Sequence, residues 1–179
     1  MGLREIVSKP AVTFDLDGTL ADTIADLSEA VNQGRTCRDF RVFRCTISRN
    51  TVTSWATALA SLSCERCPHT FEMRLDRTTP YSGVPELLFV LPKRGMARTV
   101  LPNKLNELGL KVVSGLFATG SFPIVCGKTV AVLRKPDPSS ALDIGAKLGV
   151  FPVEAVYIGN PDVDIATTRG AGMTALGAA

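Results

Sequence analysis

Two carboxylates one residue apart, Asp15 and Asp17, follow the apolar run Ala11-Val12-Thr13-Phe14, and Gly18 and Thr19 come next. A short β-prone run ending in acids reads as a buried central strand with the acids at its carboxyl end. Open α/β sheets bind their ligands at that edge. Carboxylates this close repel each other, so the site must supply positive charge, and hard oxygen ligands suit Mg²⁺. An aspartate beside such a metal can attack phosphorus and form an aspartyl-phosphate, while a second aspartate moves the proton. Gly18 frees the backbone for a sharp turn after the strand. A calcium EF-hand loop also begins Asp-x-Asp, but it needs Gly at its sixth position and Glu at its twelfth. Those positions are Leu20 and Asp26, which excludes it.

The elements that position these acids are visible in the pattern. Asp22 or Thr23 caps a helix whose Ile24, Leu27 and Val31 share one face, and Gly34 ends it. Val84, Leu87, Leu88 and Leu91 form the buried face of a second helix, which Pro92 should stop or kink. Residues 97–101 read as the second core strand, although Arg98 is an awkward tenant for a buried one. A helix over 105–116, a third strand over 122–126 and a helix faced by Leu142, Gly145 and Leu148 follow, the last closed by Gly149. Residues 155–159 are the fourth strand, residues 166–171 a helix and residues 173–177 the fifth strand. Strands alternating with helices predict an α/β fold, a doubly wound Rossmann-like parallel sheet.

A chain of 179 residues, 45% hydrophobic and 21% charged, can bury one core with a small insertion. No apolar run approaches the length of a membrane span, and the first residues lack a signal-peptide core. Cytoplasmic location is the expectation, with no membrane partner. The net charge is +3, unevenly placed: residues 34–80 hold eight arginines, no lysine and four acids, a net +4. Without interleaved aromatics or a reader motif, that segment predicts no nucleic-acid binding. Gly127-Lys128-Thr129 lacks the upstream glycine of a phosphate-binding Walker loop, because position 122 is Phe.

Residues 35–80 show little sustained period beyond a short helical face at Trp55, Leu59 and Leu62. Four of the five cysteines, Cys37, Cys45, Cys64 and Cys67, fall here with His69 nearby. Cys64-x-x-Cys67 has the spacing of half a zinc site, but Cys37 and Cys45 are wrongly spaced for the other half. Free, metal-free thiols are the expectation.

The stretch from Ala11 to Leu20 resembles motif I of the haloacid dehalogenase superfamily, written hhhDxDGT; with Ala21-Asp22-Thr23 it is most similar to the phosphoglycolate-phosphatase-like branch. Further landmarks fall in order. Tyr81-Ser82-Gly83-Val84-Pro85-Glu86-Leu87-Leu88 resembles the re-entry to the core. Pro102-Asn103-Lys104 stands where relatives show T-N-K, Lys135-Pro136-Asp137-Pro138 matches K-P-x-P, and Gly159-Asn160-Pro161-Asp162-Val163-Asp164 stands where relatives read G-D-S-x-x-D. Strong resemblance covers residues 11–33 and 80–179. It implies a core of residues 1–33 and 80–179, with 34–79 as a small, degenerate helical cap, divergent or partly disordered, that selects the substrate. Relatives run on past the fifth strand, so the chain end reads as a truncation.

By resemblance, Asp15 is the nucleophile, Asp17 the acid and base, and Lys135 the catalytic cation. Thr19, Asn103 and Lys135 bind the phosphoryl group, while Asp15, Asp17, Asn160 and Asp164 form the Mg²⁺ site. Two departures stand out. Pro102 offers neither a hydroxyl nor an N–H to phosphate, and Asn160 brings a neutral oxygen where relatives have a carboxylate. Asp162 lies off the motif spacing and should face solvent. The expected function is Mg²⁺-dependent hydrolysis of a small phosphorylated metabolite, phosphoglycolate being the implied candidate. The alternative is a catalytically impaired relative that keeps the fold and binds a ligand or partner. Pro102 and Asn160 favour the alternative, whereas intact Asp15, Asp17 and Lys135 favour the enzyme.

Overall fold

A strand covered on both faces needs a side chain that tolerates burial at every position, and β1 (Ala11–Phe14) meets that demand with all four residues buried. In the computed structural model, which describes residues 8–29, 75–129, 133–160 and 162–178, it is the middle strand of five. The others are β4 (Ala97–Val100), β5 (Ile124–Val125), β6 (Ala155–Gly159) and β7 (Thr174–Gly177). Their spatial order is β5-β4-β1-β6-β7, every pair parallel. From β1 the chain first builds outward through β4 and β5, then returns to build the other half through β6 and β7. The reversal of direction at β1 is the crevice where open α/β sheets bind ligands.

Alternation along β1 divides the core into two layers. Val12 and Phe14 pack with Val84, Leu88 and Leu91 of α1 (Val84–Lys93) and with Val112 and Val113 of α2 (Asn106–Leu116). Ala11 faces the other way, with Ala141 and Ile144 of α3 (Ser139–Leu148) and Ala171 of α4 (Val163–Ala171). Thr13 shares that second face, where Thr99 Oγ1 satisfies its hydroxyl at 2.9 Å. Helices on both faces of a parallel sheet make the predicted doubly wound architecture. Gly149 and Gly172 close α3 and α4 in the left-handed conformation.

The strand boundaries contract from the sequence reading. β5 is only two residues long, because Pro123 supplies no ladder donor and Gly127 turns tightly against the backbone of Asn106. Pro92 does not stop α1, which ends one residue later at Lys93. Proline at 92 removes the N–H that would reach the Leu88 carbonyl. The Arg98 guanidinium donates to that carbonyl instead, and its other nitrogen reaches Gly120 O at 3.3 Å. The awkward arginine of the second strand therefore repairs the helix beside it.

A two-stranded antiparallel ribbon, β2 (Ala21–Asp22) with β3 (Thr79–Pro80), joins the two ends of the segment between them. The helix expected after the motif begins at residue 24 and is described to residue 29. Thr23 stands at its cap position, its carbonyl accepting the Leu27 N–H at 3.0 Å, while Asp22 Oδ1 supplies the side-chain bond, accepting the Ile24 N–H at 3.2 Å. Buried Asp26 fastens the ribbon: its carboxylate accepts the Arg77 N–H at 2.9 Å, Arg77 Nε at 3.2 Å and the Thr78 hydroxyl at 2.6 Å. Burial pushes the Asp26 carboxyl up, but the hydrogen bonds from Thr78 and Arg77 outweigh it and hold the group below its ordinary value of 3.8. The cysteines at 37, 45, 64 and 67, His69 and the short helical face around Trp55 lie outside the described residues, as does most of the expected cap. Cys126 is buried and free. No helix among the described residues is long and apolar enough to cross a membrane.

Two expectations follow from these contacts. Arg98→Ala should destabilise the fold by about 1–2 kcal/mol, because it strands the Leu88 carbonyl. In a Pro92→Ala background, where the backbone N–H returns, the same change should cost clearly less; equal costs in a denaturation cycle would break the assignment. A carboxyl with a depressed folded pKa stabilises above its unfolded value and loses that contribution as pH falls through the folded one. Asp26→Asn should therefore lower the melting temperature at neutral pH, and the gap to wild type should close as pH drops below 3.8. A gap that does not depend on pH would assign the effect to shape alone.

Candidate active site

Asp15 leaves β1 with its backbone still paired, its N–H donating to Ile158 O of β6 at 2.8 Å. Its carboxylate is therefore fixed at the crevice between the two halves of the sheet, and it is buried. Lys135, from the loop before α3, reaches the same spot from a remote part of the chain. Its Nζ donates to Asp15 Oδ1 at 2.8 Å and to Asp164 Oδ1 at 2.6 Å. Asp164 comes from the first turn of α4. Tyr157 of β6 is the fourth member, its hydroxyl 3.1 Å from Lys135 Nζ, 3.1 Å from Asp164 Oδ1 and 3.3 Å from Leu101 O. Two buried carboxylates thus share one buried ammonium.

That imbalance sets the electrostatics. Burial pushes the Asp15 carboxyl from 3.8 up to about 6; Lys135 opposes the rise, while Asp164 and Asp17 add to it. Burial acts to strip the Lys135 proton, yet Asp15, Tyr157 and Asp164 together hold its pKa well above the ordinary value, so it stays an ammonium. Burial also raises the Tyr157 pKa well above ordinary, so the phenol stays neutral and remains a donor.

Asp17 is tethered separately. Thr23 Oγ1 donates to its Oδ1 at 2.6 Å, and Lys104 Nζ lies 2.8 Å from the same oxygen, an ion contact rather than an aligned hydrogen bond. Thr23 is fully buried and Lys104 nearly so. Gly18 follows at φ 78°, a left-handed turn that favours glycine.

Asn160 closes the site from the end of β6. Its backbone N–H donates to Asp164 Oδ2 at 2.7 Å. Gly159 permits that fold-back, since a Cβ there would lie 2.3 Å from Asp164 Oδ2. The Asn160 side-chain nitrogen donates to Asp15 Oδ2 at 3.2 Å and to the Asp17 carbonyl at 3.0 Å. Thr19 Oγ1 and Asn103 Oδ1 are buried with no hydrogen-bond partner among the described residues. The Thr19 hydroxyl is free to donate to a bound anion, whereas the Asn103 oxygen is an acceptor that a water would satisfy. Pro102 is buried against α2, where a Cβ on Gly109 would meet its ring at 2.9 Å.

Asp15, Lys135, Asp164 and Asn160 thus form one hydrogen-bonded cluster. Asp17 joins it through its backbone carbonyl and turns its carboxylate toward Lys104. Asp162 is exposed, as its spacing predicts. Tyr157, Lys104 and Thr23 are contributors that the sequence reading did not assign. Tyr157 looked like one more residue of an apolar strand, and Lys104 only like the end of a landmark.

A divalent cation requires oxygens converging on one point. Among the described residues no three His, Cys, Asp or Glu side chains do so. Asp164 already spends both oxygens on Lys135, Tyr157 and the Asn160 N–H. Asp15 Oδ2 and the Asp17 carbonyl do converge, on the atom now supplied by the Asn160 amide. Turned over, that amide would present Oδ1 instead, giving three hard oxygens of the kind that Mg²⁺ prefers. The donor set fits the cation on that condition.

The haloacid dehalogenase-like hydrolase family model matches residues 12–178. A phosphoglycolate phosphatase of Xylella fastidiosa is 29% identical over 178 residues, spanning 92% of this chain and 78% of that protein. An N-acetylmuramic acid 6-phosphate phosphatase of Pseudomonas aeruginosa is 32% identical over 178 residues, spanning 90% and 78%. Among solved structures, CbbY from Rhodobacter sphaeroides in complex with phosphate is similar in fold, with a TM-score of 0.69 at 16% identity, over 94% of this chain and 85% of that one. With Asp15 at the carboxyl end of the central strand and Lys135 bound to it, the chain belongs to the haloacid dehalogenase-like hydrolase family, among its phosphatases.

Proposed function

We infer that the protein hydrolyses a small phosphomonoester through an aspartyl-phosphate, with phosphoglycolate as the first substrate to test, and that it works in the cytoplasm. The observation that carries this reading is the buried Lys135 ammonium 2.8 Å from the Asp15 carboxylate at the sheet's switch point. Asp15 attacks phosphorus in line, and the bond from phosphorus to the alkyl oxygen breaks. Asp17 gives its proton to the leaving alkoxide, then takes one from the water that cleaves the aspartyl-phosphate and frees Asp15. Thr23 and Lys104 hold Asp17 in position for both transfers. Lys135 keeps Asp15 in place and offsets the phosphoryl charge, as fixed cations do in phosphoryl transfer. The Thr19 hydroxyl stands ready to donate to an equatorial oxygen. Asp15, the Asp17 carbonyl and a turned Asn160 would hold Mg²⁺, with Asp164 supporting the loop. When bound, the cation adds electrostatic stabilisation of the phosphoryl oxygens.

Released inorganic phosphate, measured on purified chain with millimolar Mg²⁺ against a panel of phosphomonoesters that includes phosphoglycolate, tests the reading. Turnover that depends on Asp15 supports it. No turnover on any ester would leave the impaired, ligand-binding alternative, which the neutral Asn160 and Pro102 favour.

Asp15→Asn separates chemistry from folding. The amide is no nucleophile, so residual turnover above about a thousandth of wild type would mean that another group attacks. A carboxyl whose folded pKa is raised binds its proton more tightly folded than unfolded. Its stabilising contribution is therefore lost as pH climbs from 3.8 through about 6. In chelator, the melting temperature of Asp15→Asn relative to wild type should therefore rise between about pH 4 and pH 7, as wild type loses that contribution. A difference that does not rise with pH would show that the Asp15 carboxyl is not raised in the folded chain.

A further inference from the structure

Asn160 donates from one side-chain nitrogen to Asp15 Oδ2 at 3.2 Å and to the Asp17 carbonyl at 3.0 Å. An amide's two ends are told apart by their partners, and both partners here are acceptors, so the nitrogen faces them. We propose that Asn160 is a built-in stand-in for the divalent cation: its NH₂ bridges the two oxygens a cation would bridge, and a cation enters only when the amide turns. This deepens the site reading above and rests on it.

Three features of the chain fit this role. First, the residue is anchored independently of its side chain, through its backbone N–H on Asp164 Oδ2 at 2.7 Å. Turning the amide therefore leaves the loop in place. Second, a Cβ on Gly18 would lie 3.5 Å from both Nδ2 and Oδ1 of Asn160, so that side of the pocket meets both ends of the amide equally. Third, the chain's own lysines leave one carboxylate oxygen of the pair on Lys135 for the amide. Asp15 and Asp164 share Lys135, and Asp17 has Lys104. Asp15 Oδ2, which Lys135 does not contact, accepts from the Asn160 amide.

A carboxylate at position 160 would reverse this logic. Ionised, its oxygen would face Asp15 Oδ2 and the Asp17 carbonyl with no hydrogen among the three, an arrangement that a cation relieves or, at lower pH, a proton shared between the two carboxylates. Asparagine makes the site self-sufficient without metal. The consequence is weaker cation binding, since an entering ion displaces two hydrogen bonds and gains one neutral oxygen in place of a charged one.

The test needs no substrate, so its outcome is independent of turnover. Mn²⁺ binding by electron paramagnetic resonance, and thermal melting in chelator and in millimolar Mg²⁺, are measured on the full chain for wild type, Asn160→Asp and Asn160→Ala. Wild type should melt nearly alike in both conditions. Asn160→Asp should melt lower than wild type in chelator, recover with Mg²⁺, and bind Mn²⁺ on the order of tenfold or more tightly. Asn160→Ala, which adds no charge, should also melt below wild type in chelator, because two oxygens lose their donor. Wild type binding Mn²⁺ as tightly as Asn160→Asp would overturn the proposal. So would either variant melting as high as wild type in chelator. A chain that behaves as proposed but hydrolyses no phosphomonoester would defeat the phosphatase reading and leave this inference standing.

Discussion

The structure turns on one buried ammonium held by two buried carboxylates. Lys135 meets Asp15 and Asp164 where water is excluded, and each of the three pays a desolvation cost that a surface pair would not. Such a cluster persists only if the remaining polar atoms are satisfied. Tyr157 supplies a neutral hydroxyl, and the Asn160 backbone N–H covers the second Asp164 oxygen. β1, β6, the loop before α3 and the start of α4 must all be in place for this to occur. The doubly wound sheet is the scaffold that brings them to one edge. The raised pKa of Asp15 is the residue of an imbalance that packing tolerates because the site uses it.

Both departures from the family pattern follow the same direction. Pro102 replaces a hydroxyl and an N–H with a ring that packs against Gly109, and Asn160 replaces a charge with a dipole that bonds inward. Each exchanges a group aimed at an absent ligand for one satisfied by the protein itself. The site is consequently quieter at rest than three inward carboxylates would make it. The Thr19 hydroxyl keeps the opposite character, buried and unsatisfied among the described residues, so the pocket retains a donor suited to an anion.

Much of this was legible in the sequence because it is local. Asp15 and Asp17 follow from a strand whose period and ending are short-range features, and the five strands appear where apolar runs stand. Lys135 could be placed only by family resemblance, since a partner 120 residues away leaves no mark in local pattern. Tyr157 was hidden because a tyrosine in an apolar strand is usually core; only its tertiary neighbours make it polar. Arg98 looked wrong for a strand until Pro92 supplied the reason, a carbonyl without its helical donor. The contraction of β5 shows the same limit: propensity proposes a strand over 122–126, but the Pro123 backbone and the close approach of Gly127 to Asn106 decide its length.

The ribbon formed by β2 and β3 gives the site its mechanical connection to the segment between them. Ala21 bridges back to Asp17, and the Gly18 N–H donates to Ala21 O at 3.0 Å. Thr23 binds the Asp17 carboxylate, Asp22 accepts the first N–H of the helix that starts at residue 24, and Asp26 two residues on holds Arg77 and Thr78 from the returning strand. Residues 17–26 therefore form one hydrogen-bonded unit with 77–80. In this unit the orientation of the Asp17 carboxylate and the pairing of β2 with β3 cannot vary separately. Asp15, by contrast, is fixed by its strand pairing and by Lys135, so the two aspartates are held by separate parts of the fold.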